Sequence, residues 1–307
     1  MLEIIIVIAP LFLIIFGSAI FQKVTNANDN WTQVLNNYAL KIGFPALIFS
    51  ALAGTTFNFA EEINLILANS IFLLGSFALA FIIGKIFKLK PKLFRTLFIC
   101  LAFGNVAYLG IPVLKQISGD AVLGTASLIV AIYLFWMFTV GIGFLDYSQM
   151  KKKSDVFKKM ALNLAKNPLL LAVIFGLLAS SLSLSIPSII DQSIGMIAGS
   201  VTPVVLVVIG LFIGKSKIGK IKNWIPVLAF SLVTLFALPA LFFYGIKLAG
   251  LAPTDFSASI IEAAMPLAIT PFALADQYKL HKNFIARSIV LSTILSVISI
   301  PFWTSLL

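Results

Sequence analysis

Two stretches decide how this chain is read: Gly104-Asn105-Val106-Ala107-Tyr108-Leu109-Gly110-Ile111-Pro112 and Met265-Pro266-Leu267-Ala268-Ile269-Thr270-Pro271. Each interrupts, near its middle, a hydrophobic segment long enough to cross a bilayer. Proline lacks the amide hydrogen and clashes with the carbonyl four residues back, so each interruption frees backbone polar groups where no water can satisfy them. Hydrocarbon tolerates such a break only where it is enclosed in protein or lines a cavity. Paired breaks in matching positions of two halves mark the binding site of a secondary transporter, because half-helix ends supply dipoles for a solute or an ion.

Around these breaks the 307 residues are 60% hydrophobic and 11% charged, with a mean hydropathy of +1.08, far outside the range of a soluble domain. Apolar stretches of about 20 residues, the length that crosses a hydrocarbon core of about 30 Å, fall near 4–22, 33–54, 63–84, 94–114, 121–145, 167–185, 193–214, 225–246, 256–277 and 286–306. The expected fold is an all-α polytopic membrane protein of ten transmembrane helices. The longest connection, 146–166, has room for an amphipathic helix and for no soluble catalytic domain. Met1-Leu2-Glu3 opens the first segment without a basic n-region, and the segment outruns a signal h-region, so it is expected to stay as a span.

The net charge of +11 does not call for nucleic acid, because the basic residues are sorted by side. Nineteen of the 22 fall in alternate loops: Lys23; Lys85 to Arg95; Lys151 to Lys166; Lys215 to Lys222; and Lys279 to Arg287. The positive-inside rule then places both termini outside. Cys100 is the only cysteine, which excludes an intrachain disulfide and most thiolate metal sites. His281 stands alone in a loop, so no metal site and no cofactor is expected.

Divided at the basic loop, the chain gives residues 1–150 and 151–307, five segments each, and an odd number per half inverts the second half in the membrane. The prolines keep step: Pro45 and Pro112 are 67 residues apart, Pro203 and Pro271 are 68 apart. We read two inverted five-helix repeats whose broken helices 4 and 9 cross.

Within helix 4, Asn105 carries an amide that is costly in hydrocarbon unless it has a partner or faces a cavity. Gly110 permits close backbone approach, and Pro112 is expected to end the hydrogen-bond ladder. In helix 9, Ile269, Thr270 and Pro271 form the matching break, and the Thr270 hydroxyl can turn toward the gap. If the breaks meet, two positive half-helix ends can hold an anion, which favours a carboxylate. Lys41, one turn before Pro45, is a candidate cation for the solute or a snorkelling side chain. Glu262, about five residues into helix 9, is a candidate for loading and releasing a proton, and the polar Asn69 in helix 3 is a second coupling candidate.

At these residues the sequence resembles the auxin efflux carrier family, which joins plant auxin exporters to bacterial permeases for small carboxylates such as malate and malonate. GNVAYLGIPVL (104–114) with Gly119-Asp120, AAMPLAITPFALADQY (263–278) and VLSTILSVISIP (290–301) carry the likeness. The resemblance implies a scaffold domain of helices 1, 2, 6 and 7, a transport domain of helices 3–5 and 8–10, and a substrate site with Asn105, Pro112 and Pro271; Tyr108, in the same break as Asn105, is a further substrate-binding candidate. It further implies a bacterial inner (plasma) membrane permease, with H+ or Na+ as coupling ion and a homodimer as a candidate assembly. Asn69 stands where plant exporters tend to place an aspartate, which argues against auxin.

The function expected is secondary active transport, as by a symporter, of a small organic anion by alternating access. A drug/metabolite-type exporter would share the span count without midpoint breaks. An ion channel would need rings of polar residues. An intramembrane enzyme would need clustered acids or a nucleophile with its base, which the chain does not offer.

Overall fold

The computed structural model describes residues 1–55, 59–149, 154–216 and 224–307. The expected boundary at 150/151, and Lys151, Lys152, Lys153, Lys217, Lys220 and Lys222 of the charge argument, lie outside the described residues. Among the described residues the regular structure is helical, apart from one isolated antiparallel bridge between Gly104 and Leu267.

Among the described residues six helical stretches are long and apolar enough to cross a membrane: Leu2–Thr25, Glu62–Ile86, Asp120–Gln149, Ser188–Lys215, Ile225–Leu248 and Lys282–Thr304. A seventh, Val156–Ala165 with Pro168–Ser181, is bent by 55°. The protein is therefore a multi-pass membrane protein. The remaining apolar stretches of the sequence are built from shorter helices. α1 (Leu2–Thr25) is followed by α2 (Asp29–Tyr38) and α3 (Phe44–Ala53), joined by a π turn at Ala39–Gly43. After α4 (Phe59–Ile86) comes the first broken segment, α5 (Pro91–Cys100) and α6 (Ile111–Ser118), the latter preceded by a π turn at Val106–Gly110. α7 (Leu123–Trp136) and α8 (Gly143–Gln149) form one bent stretch, and α9 (Ser154–Ala165) leads into α10 (Pro168–Ser181). The second half continues with α11 (Ser188–Gly199), α12 (Val201–Lys215), α13 (Ile225–Leu232) and α14 (Leu238–Leu248). Its broken segment is α15 (Ser257–Ala263) and α16 (Thr270–Leu274), and α17 (Lys282–Thr304) closes the chain.

Helix association in lipid rests on close packing, which small residues permit. A Cβ on Gly210 of α12 would lie 2.3 Å from the Ile15 carbonyl oxygen of α1, and one on Gly214 would lie 2.3 Å from that of Ala19. Likewise a Cβ on Gly176 of α10 would meet Leu52 Cβ at 2.8 Å and the Phe49 carbonyl at 3.2 Å on α3. Two intimate pairs result, α1 with α12 and α3 with α10. Outward faces carry exposed large apolar side chains, among them Leu13, Ile71, Phe175 and Met196, as a lipid-facing surface requires.

The prolines stand elsewhere in the breaks than the sequence suggests. Pro112 and Pro271 both occupy the first turn of a half-helix, α6 and α16. There the missing N–H is an orphan in any case and the fixed φ suits helix initiation. The ladder is interrupted earlier, at 101–105 and 264–269. Pro112 starts α6 behind a widened π turn, a usual accommodation of a proline within a longer helix.

Candidate functional site

The two breaks satisfy each other. Asn105 N–H donates to the Pro266 carbonyl at 2.7 Å, and Ala268 N–H donates to the Phe103 carbonyl at 3.0 Å, flanking the Gly104–Leu267 bridge. The freed Leu267 N–H finds the Ser292 hydroxyl of α17 at 3.1 Å. Backbone groups that would each cost several kcal/mol in hydrocarbon are thus paired across the crossing of the fourth and ninth apolar segments. Downstream, the Asn105 carbonyl accepts from Leu109 and Gly110 N–H at 3.1 and 3.0 Å, which winds the π turn directly onto the crossing.

One face of the crossing opens into a cavity of about 900 Å³. Asn105, Tyr108, Ile269 and Thr270 line it from the two breaks, Asn36 from α2, and Lys215, Lys282 and Arg287 from α12 and α17. Among the described residues no aspartate or glutamate lines it. Asn105 is only 4% exposed, and its Nδ2 has no hydrogen-bond partner among the described residues. A buried amide donor is rarely left open, so it is a group awaiting an acceptor. Tyr108 is fixed by its hydroxyl, which donates to Asn36 Oδ1 at 2.7 Å, and by ring contact with Phe44 at 5.2 Å between centroids.

The opposite face is closed. Glu262 of α15 is fully buried, and neither carboxylate oxygen has a hydrogen-bond partner among the described residues. It borders an internal space of about 20 Å³, together with Tyr133 of α7 and Thr234. That is about the room one water needs. The Tyr133 hydroxyl is likewise buried and unpartnered. Gly110 is the notch that admits the carboxyl: a Cβ there would lie 1.9 Å from Glu262 Oε2.

Of the residues singled out in the sequence, Asn105, Tyr108, Ile269 and Thr270 come together in the cavity. Gly110 faces Glu262 instead, because its lack of a side chain is used on the closed side. Pro112 and Pro271 are buried behind the cavity wall and shape it through the backbone. Lys41 is exposed and does not line the cavity. Asn69 is fully buried one helical turn from Glu262 by contact: its Nδ2 donates to Ser259 Oγ at 2.8 Å and to the Leu65 carbonyl at 2.9 Å.

Sequence reasoning missed Asn36, Arg287 and Ser292. Asn36 lies in a polar run at the start of its segment, and Arg287 is absorbed by the positive-inside count. Ser292 belongs to a spacing that was readable: Ser288, Ser292, Ser296 and Ser299 recur at helical intervals and are all fully buried.

Comparison with known proteins places the chain in a family. The sequence profile described as "Membrane transport protein" matches residues 3–304. The chain belongs to this membrane transport protein family. Among its relatives in the family, an uncharacterized transporter of Methanocaldococcus jannaschii is 25% identical over 98% of this chain and 97% of its own length. A candidate malonate transporter of Rhizobium meliloti is 23% identical over 98% of this chain and 94% of its own. Auxin efflux carrier component 8 of Arabidopsis thaliana is 25% identical over 149 residues, 48% of this chain and 40% of that protein. Family membership and the helical, apolar architecture make this chain a membrane transporter.

Proposed function

We propose that this transporter carries a small organic anion, a mono- or dicarboxylate, by alternating access, with the solute bound at the crossing of the two broken segments. One observation carries the reading: a cavity of about 900 Å³ whose lining, among the described residues, holds three cations, no acid and a buried, unpartnered amide at the start of a half-helix. Orphan N–H groups and the helix dipole at that start add positive potential where Asn105 points. The relative named for malonate transport supports a carboxylate, and small dicarboxylates fit such a volume.

In the proposed architecture the ten apolar segments form two inverted repeats of five, 1–150 and 151–307. The pairs α1/α12 and α3/α10 belong to the scaffold, and the crossing belongs to the transport domain. Since the cavity opens among Lys215, Lys282 and Arg287, the conformation is the one open to the cytoplasmic, basic side. Glu262 is the proposed coupling group, with Asn69 supporting the same helix α15 through Ser259. An ionised carboxylate enclosed without donor or counter-charge costs several kcal/mol. A proton therefore accompanies Glu262 while it is shut in, and leaves when movement of the crossing as a whole exposes that face. Among the described residues Tyr133 and Cys100 are the other titratable groups bordering that space, and no cation borders it.

The test is uptake into proteoliposomes of labelled malonate, succinate, malate and pyruvate, with and without imposed proton and sodium gradients. Saturable uptake of at least one, driven by a proton gradient, is expected. Absence of uptake of all four would remove the carboxylate reading.

A further inference from the structure

Arg287 sits on α17 five residues after Lys282, about 7.5 Å along the helix at the usual rise, and lines the cavity. Its Nε is buried and has no hydrogen-bond partner among the described residues. The other two cations of the cavity are engaged: Lys282 is ion-paired with Asp276, and Lys215 also has an interaction partner. A guanidinium stays protonated throughout the physiological range and offers donors in a fixed fork that matches a carboxylate. Leaving such a buried donor unmet costs free energy that an incoming acceptor recovers.

We infer that Arg287 is the fixed cation that holds the solute's carboxylate in the cavity, with the Asn105 amide as a second, neutral contact. This rests on the carboxylate reading above and adds the residue that decides the sign of the solute's charge. Arg287 then does more than orient the chain: α17 carries the binding charge on one turn, and on the next turn Ser292 holds the Leu267 N–H of the ninth-segment break. A solute drawn to Arg287 is drawn to the helix that braces the crossing.

The experiment uses the full chain in proteoliposomes with labelled malonate, succinate, malate and pyruvate. Arg287→Gln is expected to raise KM about tenfold or more, the loss typical of a charge-assisted hydrogen bond, while maximal velocity changes far less. Arg287→Lys keeps the charge that orients the chain and loses the fork, so its KM should fall between the two. A cysteine at Asn283, which lines the same cavity, reports occupancy through an anionic methanethiosulfonate reagent, since Cys100 is buried. Malonate should slow labelling of Asn283→Cys and fail to do so when Arg287→Gln is added. Wild-type KM in both Arg287 variants, with protection retained, overturns the assignment and leaves the carboxylate reading standing. No uptake and no protection by any of the four carboxylates in the unmodified binding site overturns both.

Discussion

Replacing Gly110 by alanine tests the closed face of the crossing, because ordinary helix energetics and local packing predict opposite signs. Gly110 has φ −62° and ψ −53°, a conformation any residue adopts. A glycine-to-alanine change there should gain about 0.4–1 kcal/mol through the unfolded state. The side chain, however, would place its Cβ 1.9 Å from Glu262 Oε2, 2.5 Å from Cδ and 2.6 Å from Oε1. Ordinary contact begins near 3.4 Å, so the whole carboxyl must retreat by about 1 Å or more. It has little room: Glu262 is fully buried, and the adjoining space has room for about one water. Overpacking of this kind costs about 1–3 kcal/mol, which exceeds the helix gain. Gly110→Ala should lower thermal stability in detergent and reduce malonate uptake, whereas adding Glu262→Ala should restore stability. The coupling between the two changes should fall in the range of about 0.5–3 kcal/mol seen for residues in contact. If Gly110→Ala is as stable as the parent or more so, Glu262 does not occupy the notch and the reasoning fails.

Asn105→Ala should abolish uptake while the amount of folded protein in the membrane stays near the parent's, because the Nδ2 it removes has no partner among the described residues; wild-type uptake in a quantified membrane preparation would count against a solute contact. Glu262→Gln keeps the shape and cannot ionise, so it should lose stimulation by an inward proton gradient yet retain solute exchange, measured as counterflow at two pH values. Tyr278→Phe removes the hydroxyl that donates to Asp146 Oδ1 at 2.9 Å, leaving the Lys159–Asp146 pair at 2.6 Å, and should lower stability by about 1–2 kcal/mol. Burial and the Asp146 hydrogen bond hold the Tyr278 phenol well above its usual range. Its contribution is therefore whole below about pH 10, the unfolded value, and is lost progressively as pH rises from there toward the folded value; thermal melts from about pH 7 to 9 should show a constant gap between variant and parent.

The sequence exposed the breaks because they violate a rule that hydrocarbon enforces, that every backbone group be paired within its own segment. Asn105, Ile269 and Thr270 followed from that violation, and Tyr108 from its place between Asn105 and Gly110. The division of labour between the two faces did not. Whether Gly110 serves the solute or a neighbouring side chain depends on rotation about the helix axis, and the π turn at Val106–Gly110 alters that rotation in a way no straight-helix spacing predicts. Pro112 and Pro271 read as terminators because proline breaks ladders, but a proline just inside a new half-helix looks the same in sequence. Arg287 was hidden by its own loop, where a cation needed for orientation and a cation turned into a cavity have identical composition.

The pairing of the two breaks also constrains how the proposed cycle can run. Two backbone hydrogen bonds, which together form the Gly104–Leu267 bridge, tie 103–105 to 266–268, so parting the crossing would return unpaired groups to a dry interior. The crossing is then better moved as one body than taken apart. Its observed link to α2 is slight by comparison: the Tyr108–Asn36 hydrogen bond and the ring contact with Phe44 at the start of α3. A neutral hydrogen bond contributes about 0.5–1.5 kcal/mol, and an aromatic pair about as much again. By contrast, α1 and α12 meet backbone to backbone at Gly210 and Gly214 and have no such weak seam. In the proposed cycle the slip plane therefore runs between Tyr108 and the α2–α3 segment and past α12, where the crossing meets the fixed α1/α12 pair at the Phe212–Phe272 ring contact, and Glu262 travels with the crossing whose other face holds the solute. Solute and proton would then change sides together because they ride on two faces of one rigid element.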